Sequence, residues 1–190
     1  MTTLDARTIA RAGLLERYRS EGRSSWLAAE GRSMEPLIPA GSQLRIEFGA
    51  TPVRLGEIVL FRRPSGAVAH RLVARYRTDG RSMLVAKGDG EALADPPFAV
   101  DAVLGVVREV RLPDGRPGRV PMTGRRGAAL AHVSRWSGRA ARLGGYAGRR
   151  APSRLRPFAI ATAHALSRVP TRVFTAVIPR LDRGAQAGRR

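Results

Sequence analysis

Between residues 24 and 112 the chain is cut by glycines, prolines and Asp-Gly pairs into short runs rich in β-branched and aliphatic residues. That texture leaves no room for long helices and requires strands that pair with one another. The run Ser-Ser-Trp-Leu-Ala-Ala-Glu-Gly starts at Ser24. From 42 to 48, Leu44, Ile46 and Phe48 alternate with polar neighbours, the pattern of a half-buried strand. The run Gly-Glu-Ile-Val-Leu-Phe from Gly56 is apolar without alternation and predicts a more buried strand. Residues 67–77 and 82–89 flank Asp79-Gly80, a strong hairpin signal, and are predicted to pair. A last strand covers 102–112 and closes at Pro113-Asp114-Gly115. The expected class is mainly β, a sandwich or barrel-like module.

The flanks read differently. Residues 4–19 place Leu4, Ile9, Ala12, Leu14, Leu15 and Tyr18 among arginines, which predicts one short amphipathic helix. One such helix is too little for a helix-turn-helix. After Pro121, residues 127–148 predict a basic helix, and Val169, Val173, Phe174, Val177, Ile178 and Leu181 recur at helical spacing between Pro170 and Pro179. The last eight residues are expected to be disordered. The expected organisation is a helix over 1–23, a β domain over 24–121 and a basic, partly helical extension over 122–190.

Charge follows the same division. Residues 1–121 hold 19 basic and 14 acidic residues, whereas 122–190 hold 15 arginines and one acid, Asp182, out of a net formal charge of +19. Arginines beside apolar positions over 125–183 suit an anionic membrane surface. A helical pair with a solvated basic face, or arginine-rich genomic composition, accounts for the same residues. A nucleic-acid partner ranks below these, since aromatics make up 5% of the chain and no nucleic-acid motif appears. No apolar run approaches the ~20 residues of a spanning helix. The start carries Asp5 and Glu16 and lacks the apolar centre of a signal peptide. A cytoplasmic or peripheral membrane location is expected. The absence of cysteine removes disulfides and thiolate-bound metal. His70, His132 and His164 show no ligand spacing, so no metal or other cofactor is expected.

Four short boxes carry the chemistry. Ser33 lies in Gly31-Arg32-Ser33-Met34-Glu35-Pro36. Gly56-Glu57-Ile58-Val59 follows, then His70-Arg71-Leu72-Val73, then Lys87-Gly88-Asp89 with Asp95 six residues after Asp89. In this order and spacing they resemble the signal peptidase I superfamily, which includes the self-cleaving SOS repressors. The resemblance covers about residues 24–112. Its bacterial branch places a lysine base where this chain has His70, so the chain is similar to the histidine branch, typical of archaea and the endoplasmic reticulum. The resemblance implies a β-barrel-like catalytic module. It also implies Ser33 as nucleophile, His70 as base and Asp95 as its orienting carboxylate, with Asp89, Gly31 and Arg71 supporting and Met34 and Pro36 beside the substrate.

The chemistry suits those residue types. A serine hydroxyl attacks poorly until a base takes its proton. Imidazole does so near neutral pH and returns the proton to the leaving amine. A carboxylate fixes the imidazole tautomer. Each residue alone has an ordinary reading: Ser33, Asp89 and Asp95 as turn or cap residues, His70 as a strand histidine. Lys87 is the rival base, because the superfamily also uses Ser-Lys pairs. The chain departs from the family pattern at Gly31, where many members have an oxyanion-binding serine, at Gly90-Glu91, and in lacking an N-terminal anchor.

Three functions follow from this reading. The first is an endopeptidase cutting extended peptides or preproteins after small residues. The second is a self-processing regulator, for which Ala12-Gly13 resembles the repressors' cleavage bond. The third is a peptidase-like binding module on a membrane or nucleic acid that has lost activity.

Overall fold

Each of the six apolar runs becomes a strand. The computed structural model describes residues 6–118, 127–129 and 131–132, the first five as backbone only. Helix α1 (Ala6–Ser20) precedes β1 (Ser24–Ala28), β2 (Gln43–Phe48), β3 (Ile58–Arg63), β4 (Gly66–Thr78), β5 (Arg81–Lys87), β6 (Phe98–Ala99) and β7 (Val103–Arg111). The two-residue β6 and the 3-10 turn after it, Val100–Ala102, were not expected, because so short a pairing leaves no periodicity in the sequence. The strands form one seven-stranded sheet in the order β1-β2-β7-β3-β4-β5-β6, with all neighbours antiparallel.

The sheet is buried on both faces at its centre. On β3, Ile58 and Leu60 pack with Met34, Leu44, Ile46 and Phe48, while Val59 and Phe61 pack with Leu72, Leu84 and Val106. This explains why the run from Ile58 to Phe61 is apolar throughout whereas β2 alternates. The pairing of β7 shifts register opposite Arg45/Ile46 and again opposite Leu60/Phe61. Gly105 sits between these irregularities, and a Cβ there would lie 2.5 Å from the Glu47 carbonyl oxygen, so only glycine lets the two backbones come this close. The β4–β5 turn has Asp79 at φ 48° and Gly80 at φ 73°, the two left-handed positions that a tight hairpin demands.

Helix α1 lies against the sheet through Leu15, which is buried, and through Tyr18, whose ring meets Phe48 edge-on at 5.4 Å. Leu14 is 46% exposed, so the buried stripe is narrow. Ion pairs tie α1 to both sides of a cleft: Arg11 to Glu30 at 3.4 Å and Glu16 to Arg62 at 2.7 Å. Residues 127–129 and 131–132 are helical, and the Gly127 backbone lies directly against Gly56. The rest of the predicted 122–190 extension, including the basic segment assigned to a membrane surface, lies outside the described residues. Among those described, no helix is long and apolar enough to cross a membrane.

Candidate active site

His70 and Arg71 are neighbours on β4, so their side chains leave the strand on opposite faces. Each meets a different carboxylate from the segment after β5. His70 Nδ1 is 2.7 Å from Asp95 Oδ2, and both side chains are buried. The Arg71 guanidinium donates from Nε and Nη2 to the two oxygens of Asp89 at 2.9 and 2.7 Å, and from Nη1 to the Gly56 carbonyl at 2.7 Å. One strand thus uses its alternation to separate a histidine–carboxylate pair from an arginine–carboxylate pair.

The second ring nitrogen of His70, Nε2, is 2.8 Å from Ser33 Oγ. With Asp95 on the far side, Nδ1 carries the proton and donates to the carboxylate, and Nε2 accepts from the serine hydroxyl. Burial lowers the His70 pKa to about 4, Arg63 and Lys87 push the same way, and Asp89 opposes them. The ring is therefore neutral at ordinary pH, the form that accepts a proton. The Asp95 backbone N–H donates to Ala86 at 2.9 Å, fixing the carboxylate's own segment to the end of β5.

Ser33 sits in the loop between β1 and β2. That loop is held by Glu35 N–H to Arg32 C=O at 3.1 Å, by Ile38 N–H to Met34 C=O at 3.0 Å, and by Gly90 N–H to the Ser33 carbonyl at 2.8 Å. None of these bonds uses the Ser33 N–H. Buried Met34 pins the loop into the core. Ser33 lines a pocket of about 230 Å³ shared with Leu27, Ala28, Met34, Ile38, Ala67 and Ala69, among others.

The structure brings Ser33, His70 and Asp95 into one hydrogen-bonded array. It places Gly31 and Met34 in the pocket wall, and Arg71 and Asp89 in a separate buried pair. Pro36 is exposed and is not among the pocket-lining residues. Lys87 is fully buried, with Nζ 3.4 Å from the Gly88 carbonyl; the ring nitrogen 2.8 Å from Ser33 Oγ is His70 Nε2.

Two neighbours escape the sequence reading. Arg63, the last residue of β3, pairs through Nη2 with Asp95 Oδ1, the oxygen His70 does not use. Its signal lay in the alternation: Val59, Phe61 and Arg63 share a face, and Val59 is the register partner of His70. Glu91 is the other. Ligand-capable atoms of His70, Glu91 and Asp95 lie within 4.8 Å of one another. Both His70 nitrogens already have hydrogen-bond partners, and one Asp95 oxygen faces Arg63. No protein-family model matches the sequence, and no curated protein matches it closely enough to count as a relative.

Proposed function

We propose that this protein is a serine endopeptidase similar to signal peptidase I, cutting extended peptides after small residues. One observation carries the reading: Ser33 Oγ, the His70 imidazole and the Asp95 carboxylate form a continuous hydrogen-bonded array beside a small pocket that Ser33 lines. An isolated serine–histidine contact has ordinary explanations. A buried carboxylate behind the histidine and an open pocket before the serine make general-base activation the better account.

Strand edges supply the place for an extended substrate. β1 is an edge strand of the sheet. On β4, residues 66–70 pair with β3, whereas pairing with β5 begins only at Arg71. The free sides of β1 and of the start of β4 both border the pocket beside Ser33. A peptide laid between them would form main-chain hydrogen bonds and drop alternate side chains into the pocket, whose volume of about 230 Å³ limits how large they can be.

The chemistry then proceeds by proton transfer. Ser33 Oγ attacks the scissile carbonyl as His70 Nε2 takes its proton, and Asp95 stabilises the imidazolium. In this reading the Ser33 backbone N–H donates to the developing oxyanion. His70 next protonates the leaving amine, and an acyl group remains on Ser33. Water, deprotonated by the same imidazole, hydrolyses that ester.

The 15 arginines of residues 122–190 support a further part of the proposal, peripheral attachment to an anionic membrane surface. The test is cleavage of a quenched fluorescent peptide library carrying small residues before the cut, with and without anionic vesicles. Turnover should fall by about 10⁴-fold or more in Ser33→Ala and in His70→Ala. Vesicles should raise the wild-type rate. Full activity in His70→Ala would transfer the role of base to Lys87. No turnover by folded wild-type protein would favour a binding role.

A further inference from the structure

Asp95 is a buried carboxylate whose two oxygens have different partners. Oδ2 accepts from the His70 imidazole, and Oδ1 accepts from the Arg63 guanidinium. The Asp95 side chain is 2% exposed, whereas that of Arg63 is 32% exposed. Arg63 also borders a second pocket, together with Arg62, Pro64 and Gly66. The guanidinium therefore stands between the buried array and the solvent-reached end of the cleft.

We propose that Arg63 is a positioning residue of the Ser33–His70–Asp95 array, holding the Asp95 carboxylate by the oxygen that His70 leaves unused. The inference rests on the peptidase reading above.

Three consequences follow from the placement. First, a carboxylate bound through one oxygen can turn about its last torsion, and the imidazole would turn with it. Anchoring both oxygens removes that freedom and keeps Nε2 aimed at Ser33. Second, with a neutral imidazole in the resting array, Arg63 is the formal counter-charge that directly contacts Asp95. A buried, unpaired carboxylate would be costly. Third, once His70 has taken the serine proton, two cations share one carboxylate. The imidazolium is then more acidic than in an array with a lone aspartate, which speeds delivery of the proton to the leaving amine.

The other charged groups facing His70 set the background for this effect. Lys87 at the end of β5 acts in the same sense as Arg63, and Asp89 acts against both. Glu91 lies close on the side of Asp95. Arg71 is engaged by Asp89. Arg63 is bonded directly to the carboxylate that His70 itself uses.

The experiment is an NMR titration of the His70 ring in wild type, Arg63→Gln and Arg63→Lys, paired with pH profiles of peptide cleavage. In Arg63→Gln the His70 midpoint should rise by about one pH unit. The acid limb of kcat/KM should move up with it, and kcat at neutral pH should fall by about tenfold or more. Arg63→Lys should restore the midpoint but only part of the rate, since an ammonium reproduces the charge and not the planar fork. An unchanged His70 midpoint in folded Arg63→Gln would overturn the proposal. So would a rate loss in Arg63→Gln with the midpoint and acid limb unmoved, the mark of a merely structural residue. If no protein cuts any peptide, the peptidase reading fails, and the midpoints still decide whether Arg63 acts on His70.

Discussion

The Gly90 N–H donates to the carbonyl oxygen of Ser33 at 2.8 Å, so the turn after β5 holds the Ser33 peptide group in place. The same turn supplies Lys87-Gly88-Asp89, and the Asp95 backbone is bonded to Ala86 at the end of the same strand. One segment thus fixes two of the three members of the hydrogen-bonded array, the serine through backbone and the aspartate through its chain path. Contact this close depends on missing side chains. A Cβ on Gly88 would lie 2.5 Å from the Ser33 carbonyl oxygen, and one on Gly90 would lie 2.6 Å from that of Glu35.

Gly88→Ala is therefore expected to push Ser33 away from His70 rather than simply to loosen the fold. The obstructing atom is backbone, which cannot rotate aside. A displacement of about 1 Å at a reacting group costs about 10²-fold in rate, and overpacking of this kind costs about 1–3 kcal/mol of stability. Cleavage kinetics beside urea denaturation would check both. A Gly88→Ala protein with wild-type kcat/KM would show that this turn does not position the serine.

Asp89 is expected to matter for stability before chemistry. Its carboxylate is bidentate to a fully buried Arg71. Asp89→Ala removes both of those charge-assisted bonds from the buried guanidinium. Removing one partner of a buried pair costs about 3–5 kcal/mol. The loss should show as a lower urea midpoint with little change in slope. A loss below about 1 kcal/mol would mean that water reaches Arg71 in the variant.

These two residues also mark how far the sequence was legible. The six principal strands could be read because apolar runs and turn residues punctuate them, and Asp79-Gly80 announced its hairpin outright. The strand order could not be read. Placing β7 between β2 and β3 depends on long-range pairing that leaves no local trace. Ser33, His70 and Asp95 were found through motif spacing, since nothing in the composition links residues so far apart. Arg63 was missed because its role depends on which strand face meets Asp95. That is a matter of register, and register appears only once the sheet is assembled.

The buried imidazole makes stability depend on pH in a defined window. His70 has its pKa lowered from 6.5 to about 4 in the folded protein. Above pH 6.5 the ring is neutral in both folded and unfolded chains, and its contribution does not vary. Between 6.5 and 4 the unfolded chain binds a proton that the folded one refuses, so stability falls as pH falls. From pH 6.5 to 5 the loss attributable to His70 is about 2 kcal/mol. His70→Gln does not titrate, so urea denaturation of both proteins across this range isolates the term. Parallel stability curves for the two proteins would mean that His70 titrates near its ordinary value when folded.

Gly31 gives the prediction with the opposite sign, a gain. It is exposed at the rim of the Ser33 pocket, its φ lies outside the left-handed region, and nothing lies within 4 Å of where a Cβ would stand. A side chain fits there without strain. If the chain is the peptidase proposed, the oxyanion is served by the Ser33 N–H and lacks the hydroxyl that many signal peptidases carry at this place. Gly31→Ser would add that donor. Removing one such donor typically costs about 10²–10³-fold in kcat, so adding one without designed support should raise kcat by about tenfold. KM should hardly move, because the hydroxyl serves the tetrahedral state and not the bound peptide. Gly31→Ala is the control, since it makes the same change in backbone freedom without a donor. A Gly31→Ser enzyme no faster than Gly31→Ala would show that the new hydroxyl is not aimed at the oxyanion, and that the backbone donor works without help from this position.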